Sequence, residues 1–189
     1  MLHTRLYPAG TRFFAQPDGD EDVKIFPGSG FVGAEKTEDD GAAEFVRERD
    51  NGNLEKAKRA GNKMARRMRF LWRPGDSAPL HAQKKVLFAY AAAKAIEKHC
   101  NTSVLTQSVL SEFHRAVQAN SRRDYDLIQD SVAFTKYLLS ERGGKDALGG
   151  VFAELCKDKE NDKLQRKGVL LYYRYFSDCL MILTKPTFQ

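Results

Sequence analysis

From about Thr37 to about Leu183, apolar residues recur at intervals of three and four. The run is broken only where glycine, proline or a capping side chain stands. A period near 3.6 belongs to helices packed by one face, so the chain is expected to be all-α. The first helix covers the acidic stretch Asp39 to Arg49 and is closed by Gly52. Asn53 is expected to cap a second, Leu54 to Trp72, which Arg73-Pro74-Gly75 stops. Ser77 and Pro79 announce a third, ending near His99, because proline suits a first turn whose N–H would be unpaired anyway.

A fourth helix, Ser103 to Gln118, places Val104, Leu105, Val109, Leu110, Phe113 and Val117 mostly on one face. Ser121 with Asp124 resembles a capping box. It opens a fifth helix whose Ile128, Val132 and Leu139 face inward until Gly143-Gly144. Asp146 opens a shorter sixth, weakened by Gly149-Gly150, and Asp162 is expected to cap a seventh before Pro186.

These segments predict a multi-helix bundle of about five core helices over 77–185, with a basic amphipathic helix packed along it. The third helix runs Val86 to Ala93 without a charge, and its four alanines allow close approach. The seventh gathers Arg166, Lys167, Arg174, Ser177 and Asp178 into one sector and is apolar elsewhere, so it is expected to be the central helix. Arg174 and Asp178, four apart, are expected to pair. Residues 41–76 form an acidic then basic helical segment. Residues 1–40, with Pro8, Pro17 and Pro27, read as an irregular N-terminal arm. Within it, Arg12 to Ala15 and Val23 to Phe26 flank Pro17-Asp18-Gly19, the pattern of a short hairpin.

At 42% apolar and 30% charged, the composition is that of an ordinary globular protein. No stretch approaches the ~20 apolar residues that span a bilayer. The first twenty residues hold no apolar core of a signal peptide, so a cytoplasmic setting is expected. Cys100, Cys156 and Cys179 are odd in number and widely spaced, and read as reduced packing residues. The sequon Asn101-Thr102-Ser103 therefore carries no glycan in this reading.

The net charge of +6 is unevenly spread. Residues 1–52 carry six basic and eleven acidic side chains, whereas residues 53–73 carry eight basic and one acidic. In that second segment Lys56, Arg59, Lys63, Arg66 and Arg67 fall within about 100° on a helical wheel. Leu54, Ala57, Gly61, Met64, Met68 and Leu71 occupy the opposite side. The cationic face can meet an acidic protein surface or nucleic acid. Alternatively, it is a solvated face paired with Asp39, Asp40, Glu44 and Glu48. Membrane binding is not expected, because the apolar side is mostly Ala, Gly and Met and offers little area to lipid.

Other motifs fail on context. Gly28-Ser29-Gly30-Phe31-Val32-Gly33 matches a dinucleotide fingerprint, but acidic residues follow where a phosphate-binding helix should begin. Ser121-Arg122-Arg123 could open a recognition helix, yet Asp124 and Asp126 would face phosphate. Asp126 and Asp130 share a helix face without partner carboxylates from another helix. The four histidines form no zinc pattern, and adjacent His99 and Cys100 point about 100° apart. Tyr172, Tyr173, Tyr175 and Phe176 read as core packing. No catalytic residue, metal or cofactor is assigned. The sequence points to a non-catalytic interaction or regulatory protein that engages an acidic partner through its basic helix. Nucleic-acid binding by that same helix is the alternative. A small helical enzyme with a pocket between the third, fifth and seventh helices is the third reading.

Overall fold

A computed structural model describes residues 38–129 and 132–185; residues 1–37 of the expected arm, with its hairpin and the glycine-rich run, lie outside them, and residues 38–40, expected in the arm, belong to the first helix. The described residues form eight α-helices and contain no strand. They are α1 (Glu38–Asp50), α2 (Asn53–Arg69), α3 (Ala78–His99), α4 (Ser103–Asn120), α5 (Arg122–Gln129), α6 (Val132–Ser140), α7 (Gly144–Leu155) and α8 (Asp162–Thr184). A 3-10 turn, Glu141–Gly143, joins α6 to α7. None of these helices is long and apolar enough to cross a membrane.

Capping side chains set most of the starts. Ser77 Oγ accepts from Leu80 N–H at 3.4 Å, Thr102 Oγ1 from Leu105 N–H at 3.2 Å, and Ser121 Oγ from Asp124 N–H at 3.2 Å. Two expectations shift by one residue. Asn161, rather than Asp162, caps α8, accepting from Leu164 N–H at 3.0 Å. Asn53 lies inside α2 and turns its amide to Glu48 at 2.7 Å, while Gly52, at φ 69°, stands at the helix start. That left-handed φ favours glycine, which carries no Cβ to clash. The expected fifth helix corresponds to α5 and α6, which lie on either side of residues 130 and 131.

The centre of the bundle is α3 rather than α8. Val86, Leu87, Phe88, Ala89, Tyr90, Ala91, Ala92, Ala95 and Ile96 are all buried, so α3 is covered on every side along its middle. A helix apolar all round must be enclosed. By contrast, α8 buries Gly168, Tyr175, Cys179 and Leu183 but leaves Leu170 and Met181 exposed. Tyr90 stacks on Tyr137 at 5.6 Å between centroids and meets Phe134 and Tyr172 at 5.5 and 5.8 Å. These rings pack together between α3, α6 and α8. The Tyr90 hydroxyl donates to Glu141 at 2.5 Å.

Glycines set the closest helix contacts. A Cβ on Gly61 of α2 would stand 2.6 Å from the Val109 carbonyl oxygen and 2.8 Å from the Phe113 nitrogen of α4. The backbones of α2 and α4 therefore meet with no side chain between them. On α7, a Cβ on Gly149 would lie 2.8 Å from the Gln165 carbonyl oxygen of α8. Gly149 is thus what lets α7 lie against α8, not a weakness in the helix.

Candidate partner-binding face

The amphipathicity of α2 is resolved by burial. Leu54, Ala57, Ala60, Gly61, Met64, Ala65 and Met68 are buried, chiefly against α4, with lesser contacts to α1, α3 and α8. Small side chains cost little entropy to order and permit the short interaxial distance. The charged residues are left outside, and the structure sorts them by partner.

Arg67 donates through Nε and Nη2 to Asp178 Oδ2 on α8, at 3.1 and 2.8 Å. In place of the Arg174 partner that the spacing within α8 predicts, Asp178 takes Arg67 and ties α8 to α2. Lys56 Nζ reaches Asn53 Oδ1 at 3.4 Å. Lys58 donates to Glu55 at 2.8 Å, and that contact raises its pKa above the ordinary lysine value. Arg69 donates to Asn120 at 3.3 Å. Arg59, Lys63 and Arg66 are exposed and form no ion pair with any described residue; Arg59 Nε only reaches the Glu55 carbonyl at 3.3 Å. Glu48 of the preceding acidic segment is buried and receives Asn53 and, at 3.5 Å, Arg47.

Leu71 and Trp72 are the bulky apolar residues at the end of the α2 sequence. The structure separates them: Leu71 packs toward the core, while Phe70 is 77% and Trp72 56% exposed. Phe70 closes α2, its N–H donating to the Arg67 carbonyl at 3.2 Å. Eleven residues after Arg59, Phe70 falls about 20° from it on the wheel, on the same stripe as Lys63 and Arg66. That spacing was a readable signal of an outward ring.

The turn after Trp72 is pinned from below. Asp76 N–H donates to the Arg73 carbonyl at 3.1 Å around Pro74-Gly75, with Gly75 at φ 87°, a conformation that favours glycine. The Asp76 carboxylate accepts the Arg73 N–H at 3.1 Å and Lys84 Nζ at 2.5 Å. Both charged side chains are nearly inaccessible, at 3% for Lys84 and 7% for Asp76. Burial alone would raise the Asp76 pKa, but Lys84 and the Arg73 N–H outweigh it and hold the group below its ordinary value.

The remaining chemical candidates are occupied by packing. Asp124 takes Lys85 at 2.6 Å and Asp126 takes Arg122 at 2.8 Å, while Asp130 lies outside the described residues. Among the described residues no group of His, Cys, Asp and Glu is placed to hold a metal ion. A cleft of about 340 Å³ at the α3–α4 turn is lined by Lys98, His99, Cys100, Asn101 and Leu105. Burial pushes the Cys100 thiol up to about 11, against the contact with Thr106. Burial likewise takes Cys156 to about 11 and Cys179 to about 12. All three are thiols at neutral pH, the wrong state for a nucleophile. Of the aromatic cluster on α8, Tyr175 is buried, Tyr172 and Phe176 pack partly buried, and Tyr173 is exposed.

The described residues thus form an all-helical fold, with Arg59, Lys63 and Arg66 exposed on α2. No family model, curated protein or solved structure matches the chain.

Proposed function

We propose that this chain is a non-catalytic, cytoplasmic interaction protein whose α2 engages a partner of acidic character, with the helices from residue 77 onward as its scaffold. The observation that carries the reading is the line Arg59, Lys63, Arg66: three exposed cations with no carboxylate from any described residue against them. Other charges nearby, Arg67 with Asp178 and Arg115 with Glu112, are already neutralised. Cations held in a row on a rigid helix attract an anionic surface and orient it, at little further entropic cost.

Binding of labelled anionic polymers at two salt concentrations tests the reading, using the full chain and the variant Arg59→Glu, Lys63→Glu, Arg66→Glu. The expected outcome is salt-sensitive binding by the native chain and its loss in the triple variant, with helical circular dichroism unchanged. Binding unaffected by the three reversals, or no binding at low salt, overturns the proposal.

A further inference from the structure

We infer that the acidic partner is single-stranded nucleic acid, with phosphates held along Arg59, Lys63 and Arg66 and bases stacked on Phe70 and Trp72. This rests on the reading of α2 given above and adds the chemical class of the partner. A single strand presents anionic phosphates and flat apolar faces in alternation along one line. The outward face of α2 and the turn after it offer matching groups: cations advancing by about one helical turn, roughly 5 Å, at each step, Phe70 on the same stripe, and the exposed Trp72 in the turn that follows.

Three observations favour a strand over other polyanions. Phe70 and Trp72 project from the protein at 77% and 56% exposure, next in sequence to Arg69 and Arg73. In the chain each ring is flanked by an arginine, the combination of cation and aromatic face that lets a surface hold phosphate and stack bases. Second, the turn that carries the rings is fixed by the buried Asp76–Lys84 pair at 2.5 Å and by Leu71, whose side chain packs on the core. A platform held this way loses little freedom when a base lands on it. Third, the apolar side of α2 is spent on α4, so a lipid surface has no face to receive. A duplex fits poorly as well, since its base faces are hidden by stacking and the rings would have nothing to lie on.

Trp72 is the single tryptophan of the chain, so its fluorescence reads stacking directly. The full chain is titrated with a thymidine oligonucleotide of about 20 residues, a few OB-type site lengths, with the corresponding duplex, and with poly-glutamate. The expected result is tighter binding of the strand than of either competitor, with quenching of Trp72. By anisotropy of a labelled strand, Phe70→Ala and Trp72→Ala are each expected to weaken binding roughly tenfold, with helical circular dichroism retained. Poly-glutamate bound as well as the strand, with Trp72 unquenched, overturns this inference in favour of an acidic protein and leaves the broader reading standing. Duplex bound as tightly as strand, or alanine variants that bind normally, overturns the stacking. No binding of any of the three overturns both.

Discussion

At the scale of single residues, burial decides protonation. His114 lies on α4 with its ring edge against Phe113 and Tyr125, at 5.2 and 6.3 Å between centroids. Burial pushes its pKa down from 6.5 to about 4. The folded chain therefore excludes a proton that the unfolded chain accepts. Stability from this group is fully present above pH 6.5 and is lost as the pH falls toward 4. Between pH 7.5 and pH 5 the loss amounts to about 2 kcal/mol. His81 shifts in the same direction, because burial and then Lys85 disfavour its cation. Urea unfolding at the two pH values should show this drop in the native chain and a visibly smaller one in His114→Gln. An equal drop in both would remove His114 from the account.

At the scale of elements, two glycines with the same backbone freedom have opposite roles. Gly61 faces the α4 backbone, where an added methyl would require α2 and α4 to separate. Gly61→Ala is expected to cost about 2 kcal/mol, since overpacking outweighs the better helix propensity of alanine. Gly150 on α7 has nothing within 4 Å of where a Cβ would go. There the same substitution should stabilise by roughly 0.5–1 kcal/mol, by removing the entropy that glycine loses on folding. Thermal unfolding of the two variants side by side checks the pair, and shifts of the same sign would contradict the packing described for Gly61. Neither role is visible in a helix-breaking tally, which treats both residues alike.

At the scale of the molecule, stability should grade outward from α3. Its stretch Val86 to Ala92 is at most 3% exposed and packs chiefly on α8, with α4, α5 and α6 around it. By contrast, α1 buries only Glu44 and Glu48 among its described side chains and leaves Phe45 and Val46 exposed. Amide hydrogen exchange followed residue by residue should find the slowest exchange between Val86 and Ile96, set by global unfolding, and the fastest in α1. Uniform protection across both helices would mean that the chain opens only as a whole. The cationic line of α2 lies between these extremes, its inner side fixed by α4 and its outer side in solvent.

Local chemistry determined the helical class and most of the punctuation, though it misplaced the caps of α2 and α8 by one residue. The 3.6 period, the capping hydroxyls of Ser77 and Ser121, the Arg73-Pro74-Gly75 turn and the two sides of α2 all depend on residues within a turn or two of one another. The tertiary structure alone decided which helix is central, because enclosure depends on what surrounds a helix and α3 and α8 are both apolar in sequence. It also decided that Asp178 meets Arg67 from a distant helix, that Lys84 is buried with Asp76, and that Phe70 and Trp72 turn outward while Leu71 turns in. Each of these is a choice among partners equally available to the side chain in isolation, and only the packing of the rest of the chain makes that choice.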